Sequence, residues 1–540
     1  MCGIIAYLGS NAPSNIKPFI KQLEARGPEG SNCLPINNTL AFGFTRLAIN
    51  GLTNAGMQPF QKGSITWMCN GEIYNSKDLQ QSLGLTTVGS DCECIGDLYL
   101  RHRDDLASFA RALDGVFAIA LYDDERKILI VTRDPHGIRP LFISSNSSAL
   151  IFASEMKAMP CSDTVKTFPP GYVQTYNINT LKPLKNIQYY SVPWITNPQF
   201  RTTEIAGFND ASVALRFALE EAVRKRMLTD RPVAALLSGG LDSSLIAALV
   251  QRNLNQTKQP PLKTFSIGFQ GSSDLAHARI VADWIKSDHT EIIMTPDEFF
   301  DAIPTVIQAI ESYDTTTVRA STGNYLIAKK IRELTDCKVV FNGDGADELF
   351  GGYLYFNNAP NVQAFHSETA RLLEDIHTFD VLRSDRSISA NGLEARTPFL
   401  DKQFVAVVRS IDPSFLMPVK GEQVEKFILR SAFDDGLTLP SKVLWRRKEA
   451  FSDGVSSPEK AWFQEIQERV KQVVPKDWIN LTRPFYMNHL IPNNEEEYYY
   501  RNIFINTYGL HTQVATVPYR WMPKWCPETT DPSARTLSVY

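Results

Sequence analysis

Apolar residues in the first third of the chain come in short runs, Gly3 to Leu8, Gly115 to Tyr122, Lys127 to Thr132 and Leu150 to Ala153, separated by turn residues. Runs of that length bounded by turns predict strands in a largely antiparallel sheet. Helix-like spacing is rarer there: Ser14 to Ala25 and Glu93 to His102 repeat apolar residues every three or four positions. Two such helices covering the sheet faces predict an αββα sandwich. Between Tyr190 and Gly207 the pattern lapses into SVPWITNPQFRTTEIAG, polar and proline-containing, with neither period. The break separates a first domain, 1–195, from a second, 207–510. In the second, helix and strand patterns alternate: Ala211 to Met227, Val233 to Leu237, Leu241 to Gln251, Thr264 to Phe269 and Lys338 to Phe341. Such alternation predicts an α/β domain with a parallel sheet. The remainder, 511–540, holds prolines and small polar residues and reads as an irregular, mobile tail without a function.

Composition narrows the partners. A chain of 540 residues is too long for one core, and 43% apolar against 21% charged residues describes a globular protein. With 55 Lys plus Arg against 59 Asp plus Glu, the net charge of -4 offers no broad positive field for nucleic acid or an anionic membrane. No apolar stretch approaches the roughly 20 residues of a membrane helix, and MCGIIAYLGS lacks a basic leader, so a cytoplasmic protein with small-molecule partners is expected. The eight cysteines contain no CxxC pair and no zinc-finger histidine spacing.

Cys2 follows the initiator methionine. Removal of Met1 would leave a thiol and an α-amino group on one residue. An amine with a pKa of ~7.7 to 8.0 can take the proton of a thiol near ~8.5 without a catalytic histidine. Val233 to Leu237, then SGGLDSS (Ser238 to Ser244), then an apolar helix is a strand, a glycine turn and a helix N-terminus in succession, which is an anion cradle. Gly239 and Gly240 would let phosphate approach the backbone, while Ser238, Ser243 and Ser244 would add hydroxyl donors. The turn lacks the lysine of a Walker loop. A second loop, NGDGADELFGGY from Asn342 to Tyr353, sets Asp344, Asp347 and Glu348 among glycines. Carboxylates so clustered call for cations, and Asp242 with Asp347 could share a magnesium ion with polyphosphate.

Arg46, Leu47 and Ile49 of TRLAI, Asn70 to Asn75 (NGEIYN) and Ser90 to Glu93 (SDCE) resemble the glutamine-binding elements of class II, N-terminal-nucleophile glutaminases. The resemblance implies that Arg46 clamps the glutamine α-carboxylate, that Glu72 and Asp91 take its α-ammonium, and that Asn70 and Gly71 form an oxyanion hole. YDTTTVRAST, GGYLYFNNAPN, GLEARTPFLD and WRRKEAFSDGV, with SGGLDSS, resemble the asparagine synthetase B family across almost the whole chain. That family implies a pyrophosphate-loop synthetase domain, ATP as substrate, Mg2+ and a homodimer. By the same resemblance Leu236, Ile267 and Gly343 would line the adenosine site, Leu241 and Asn342 would join them, and Lys448 would meet the polyphosphate. Thr316, Thr317 and Arg319 would hold aspartate, and ammonia would cross a sheltered passage between the domains. The pyrophosphate loop reports adenylation and leaves the acceptor open: another carboxylate, or a glutaminase or regulatory protein without coupled synthesis, fits as well. Three departures stand out: ARGPE (Ala25 to Glu29) for HRGPD, Asn358 for a lysine, and NGDGADE for SGEGSDE. The last sets Asp344 where the family has a functional glutamate. A carboxylate drawn back by about 1 Å would slow a positioned proton transfer ~10²-fold.

Overall fold

The computed structural model describes every residue except 86–88, 161–163, 194–204, 450–453, 457–458, 482–488, 513–515 and 538–540. Part of the expected boundary segment and of WRRKEAFSDGV therefore lies outside the described residues.

The first part of the chain builds two six-stranded antiparallel sheets. One runs, in spatial order, Thr164–Thr167, Phe142–Ser145, Ala149–Ala153, Gly3–Gly9, Leu40–Thr45, Ser31–Pro35. The other runs Pro183–Gln188, Tyr172–Asn177, Ile128–Arg133, Gly115–Asp123, Ile65–Ile73, Phe60–Lys62. Strand alternation sorts the side chains: Ile4, Ala6 and Leu8 face Met68, Ala118 and Ala120 between the sheets. Ile5 and Tyr7 point the other way, onto Ile16, Ile20 and Leu23. Trp67 and Cys69 point away from the sandwich onto Ile95, Leu98 and Phe109. A period of two with both faces covered is the αββα sandwich that the pattern predicts.

One helix departs from expectation. In place of a single helix from Ser14 to Ala25 there are two short ones, Ala12–Asn15 and Lys17–Lys21. Pro18 has no N–H to donate and its ring collides with the preceding turn, so the chain restarts there. The apolar positions stay buried all the same: Ile16, Ile20 and Leu23 are at most 7% exposed.

The second part holds a five-stranded parallel sheet, Asp288–Ile293, Lys263–Gly268, Val233–Leu236, Val339–Phe341, Glu394–Arg396. Ala235, Val339 and Phe341 pack into one cluster and Ala234 with Val340 into another, so the sheet is buried on both faces, as helices crossing over both sides require. The described part of the C-terminal segment runs irregularly, with short 3-10 turns. It is not loose: Asp531 pairs with Arg319 at 2.8 Å, and Tyr519 donates to Asp375 at 2.6 Å. Aromatic side chains and carboxylates along it supply the contacts that its missing period does not advertise. Among the described residues, no helix is long and apolar enough to cross a membrane.

Candidate active sites

The turn after Val233–Leu236 leads into the helix Leu241–Gln256, whose N-cap is Gly240. Ser238 and Ser243 fix its shape: their hydroxyls lie 3.0 Å apart, and Ser243 Oγ accepts from the Ser238 amide at 3.2 Å. The second loop packs against this turn so closely that a Cβ on Gly343 would stand 2.7 Å from the Ser243 nitrogen. The two loops enclose a cavity of about 190 Å³.

All the expected nucleotide residues line that cavity except Gly239 and Ser244. Gly239 is not in that lining; it has φ +71, and a Cβ there would meet the Ala278 nitrogen at 2.4 Å, so both its backbone conformation and its close packing call for glycine. Ser244 is turned inward by the helical period and is fully buried, with an unpartnered hydroxyl. Thr316 is on the wall, its buried hydroxyl also unpartnered. Thr317 and Arg319 are not. Thr317 binds Asp314 through its amide at 2.9 Å and its hydroxyl at 2.8 Å. Arg319 forks onto both Glu496 and Asp531 at 2.6 to 2.9 Å, so its guanidinium is already committed to two protein carboxylates.

A quartet of charges occupies the part of the cavity beside the Ser238 turn. Lys426 Nζ is 2.6 Å from Asp242 and 2.6 Å from Asp347, while Lys448 Nζ is 2.5 Å from Asp347 and 3.8 Å from Asp242. Burial raises the Asp347 carboxyl, but Lys426 and Lys448 overrule it and hold it well below the usual carboxylate range. Asp242 keeps one buried oxygen without a hydrogen-bond partner. Among the described residues no three metal-ligating side chains converge. Two carboxylates with a spare oxygen beside a phosphate turn nonetheless fit magnesium, which takes few protein ligands and completes its shell with phosphate and water. Asp344 pairs with Arg383 at 3.0 Å, and burial raises its carboxyl against that pull. Lys426, Asp380 and Arg383 were missed by motif. Asp380 and Arg383 sit three apart on one helix and meet at 3.2 Å, a readable charge pattern. Lys426, in left-handed backbone before the helix Phe427–Ala432, carries no signal at all.

The other site gathers around Cys2. Its thiol lies 3.7 Å from the Leu47 carbonyl, and burial pushes it up to about 11. The Arg46 guanidinium, on the strand end beside it, donates to the carbonyls of Thr53 at 2.7 Å and Gly51. Leu47 and Ile49 are 3% and 2% exposed, so their side chains belong to the core. Asn70 and Gly71 lie on the strand Ile65–Ile73, Asn70 with a buried carbonyl oxygen free of partners. Burial, aided by Asp91 and Glu394, raises the Glu72 carboxyl well above its ordinary value, and burial raises Asp91. Two buried carboxylates so placed favour an incoming cation. Met1 is 1% exposed with its amine 3.4 Å from the Leu393 carbonyl.

The two sites meet on one helix, Asp380–Ser389. Its Asp380 and Arg383 line the cavity between the two loops. Its Asp385 and Ser389 accept from Arg26, each at 2.9 Å, and Arg26 also donates to the Cys2 carbonyl at 3.0 Å and to Glu155 at 3.0 Å. In the ARGPE segment Glu29 accepts from the Ala48 amide at 2.7 Å and from Arg231 at 2.9 Å, so the longer acid spans the seam between the two halves.

Comparison with known proteins agrees with this geometry. The glutamine amidotransferase domain family matches residues 1–209, and the asparagine synthase family matches 214–364 and 357–528. Asparagine synthetase [glutamine-hydrolyzing] of Cricetulus griseus is 40% identical over 570 residues, covering 100% of this chain and 99% of that protein. The protein of the same name from Homo sapiens is 40% identical over 570 residues with the same coverage. That of Gallus gallus is 39% identical over 571 residues, again with 100% and 99% covered. Matched from end to end and carrying both sites, this chain belongs to the glutamine-hydrolysing asparagine synthetase family.

Proposed function

We propose that this chain hydrolyses glutamine at Cys2 and uses the ammonia to convert aspartate into asparagine, with ATP cleaved to AMP and pyrophosphate. The observation that carries the reading is the convergence of the phosphate turn, the acidic loop and two lysines on one cavity, in a chain whose other end presents a thiol near Arg46 and Glu72, with Asp91 next to Glu72.

With Met1 attached, the Cys2 nitrogen is an amide and no base. Once Met1 is removed, the freed amine accepts the thiol proton, and the thiolate attacks the glutamine carboxamide carbon. Asn70 and Gly71 steady the oxyanion, ammonia leaves, and water releases glutamate from the thioester. Glutamine is held by Arg46 at its carboxylate and by Glu72 with Asp91 at its ammonium.

In the cavity, the β-carboxylate of aspartate attacks the α-phosphorus of ATP and pyrophosphate departs. Ammonia then attacks the acyl carbon and AMP leaves. Lys426 and Lys448 follow the charge that moves onto the departing phosphates, and Asp242 with Asp347 would hold magnesium, which supplies further charge neutralisation. Since Arg319 is committed elsewhere, we place aspartate against Thr316 and Arg383, the latter on the wall beside Asp344. A cytoplasmic homodimer is the matching setting. The seven cysteines among the described residues are all unpaired, which suits a reducing compartment.

Incubation with glutamine, aspartate, ATP and magnesium should yield asparagine, glutamate, AMP and pyrophosphate in equal amounts. The Cys2→Ala variant should lose synthesis from glutamine and keep synthesis from ammonium. ADP in place of AMP, or no asparagine, overturns the proposal. Pyrophosphate release with a different carboxylate, but not with aspartate, would transfer the reading to that acceptor.

A further inference from the structure

Among its described residues the C-terminal segment meets the cavity walls at Arg535, 3.6 Å from Glu449, and at Trp521. The Trp521 backbone N–H faces the Asp314 carboxylate, the N-cap of the helix Thr315–Leu334, and favours its charged form. Asp314 thereby holds the first turn, in which Thr316 reaches the cavity. The Trp521 indole stands edge-on to Tyr353, with ring centroids 5.9 Å apart and planes at 64°, and to Tyr355 at 6.1 Å and 71°. The Tyr353 hydroxyl in turn donates to Glu348, and to Asp380 at 3.4 Å, and all three of these residues line the cavity. Trp521 itself does not.

The segment is fastened on either side of the indole. Before it, Tyr519 donates to Asp375 at 2.6 Å and accepts from Arg371 at 2.5 Å. After it, Lys524 pairs with Glu368 at 3.1 Å, and Cys526 Sγ accepts from Asn358 at 3.4 Å. Trp525 packs on Tyr355 and Phe356, each at 6.0 Å. Trp521 is therefore a fixed wedge between two opposed parts of the wall.

We propose that Trp521 is a positioning residue for the acceptor side of the nucleotide cavity: it sets the spacing between the Thr316 turn and the Tyr353–Glu348 pair, and so governs binding of the amino-acid acceptor while leaving glutamine hydrolysis alone. The inference rests on the functional reading above. Its physical basis is the direction preference of aromatic edges, which a small side chain does not reproduce, while the main-chain contact to the Asp314 cap, common to any residue at 521, anchors the segment from which the indole projects.

The test compares the full-length wild type with Trp521→Ala, Trp521→Leu and Trp521→Phe, with ammonium as nitrogen source. The loss of two edge contacts predicts an aspartate KM raised about tenfold in Trp521→Ala and less in Trp521→Leu. ATP KM and glutaminase rate should stay within about twofold, and Trp521→Phe should recover most of the loss. Hydrogen exchange adds a readout independent of turnover: amides of 315–320 and 346–356 should exchange faster in Trp521→Ala, while those of 238–245 stay as in the wild type. An unchanged aspartate KM with unchanged exchange overturns the proposal. So does a uniform fall of every activity in all three variants, which would make the residue merely structural. A wild type that forms no AMP would instead defeat the functional reading, and the exchange result would still decide whether Trp521 spaces the walls.

Discussion

Replacing Lys426 with methionine tests the charge quartet most directly. The lysine is buried, its side chain 1% exposed, and it touches two carboxylates at 2.6 Å. Removing one member of a buried ion pair costs about 3–5 kcal/mol, because the abandoned charge stays buried. Here the loss is smaller: Lys448 remains at 2.5 Å from Asp347, and the Asp242 side chain keeps 14% exposure. About 2–3 kcal/mol is the resulting expectation for the second half of the chain. In a unit of that size this lowers the thermal transition by about 2–5 °C. Magnesium should restore more of the loss in Lys426→Met than it adds to the wild type, since the variant leaves two carboxylates seeking a cation. If the same ammonium group follows the phosphates, the ATP KM should rise about 10- to 100-fold, each tenfold corresponding to about 1.4 kcal/mol. Glutaminase activity, assayed without ATP, should not move. Calorimetry with and without magnesium, beside steady-state pyrophosphate release, decides it. A variant with wild-type transition temperature and wild-type ATP KM would refute the quartet as an energetic and functional unit.

Gly71→Ala should abolish glutamine hydrolysis and spare ammonium-driven synthesis, because its Cβ would stand 2.0 Å from the Val116 carbonyl in the neighbouring strand. The strain is about 3 kcal/mol, visible as an earlier thermal transition of the first half. Intact mass of active enzyme should be lighter by one methionine residue, and Met1 retained on active protein would contradict the proposed base. Acid stability follows from depressed carboxyls. Burial raises Asp401, but Arg226 and Lys225 outweigh it and hold it far below the normal range, as the two lysines do for Asp347. Groups depressed in the folded state contribute their stability above the ordinary carboxylate pKa near ~4 and lose it as pH falls below that. Acid titration followed by circular dichroism should show stability falling steeply below about pH 4, and Asp401→Asn should flatten the slope.

What the sequence revealed was local and periodic. Short apolar runs bounded by turn residues marked the strands, and a strand, a glycine turn and a helix start marked the phosphate cradle before any contact was known. What it concealed was tertiary. Lys426 reaches Asp242 across 184 positions, and no spacing rule joins residues so far apart. Gly239 and Ser244 look alike as phosphate ligands in SGGLDSS, yet the left-handed turn sets the first against a neighbouring backbone and the helical period turns the second into the core. Arg319 stands in a motif, but two acids from distant segments, Glu496 and Asp531, claim its guanidinium. The C-terminal segment lacks any period because isolated aromatic and charged anchors hold it, and periodicity measures only continuous faces.

Arg26 bears on how such an enzyme can be taken apart. Its guanidinium is fully buried and shared between the Cys2 carbonyl, Glu155 and Asp385. Cutting the chain between the halves strands a cation on one fragment and strips an anion of its partner on the other. The halves are consequently poor cassettes: a foreign glutaminase grafted onto residues 205–537 works only if positions 26, 155 and 385 travel as a set. Arg139, 3.3 Å from Asp385 and 3.5 Å from Glu394, and Glu72, 3.6 Å from Arg396, bind the same seam, so a donor has to match these buried pairs as well.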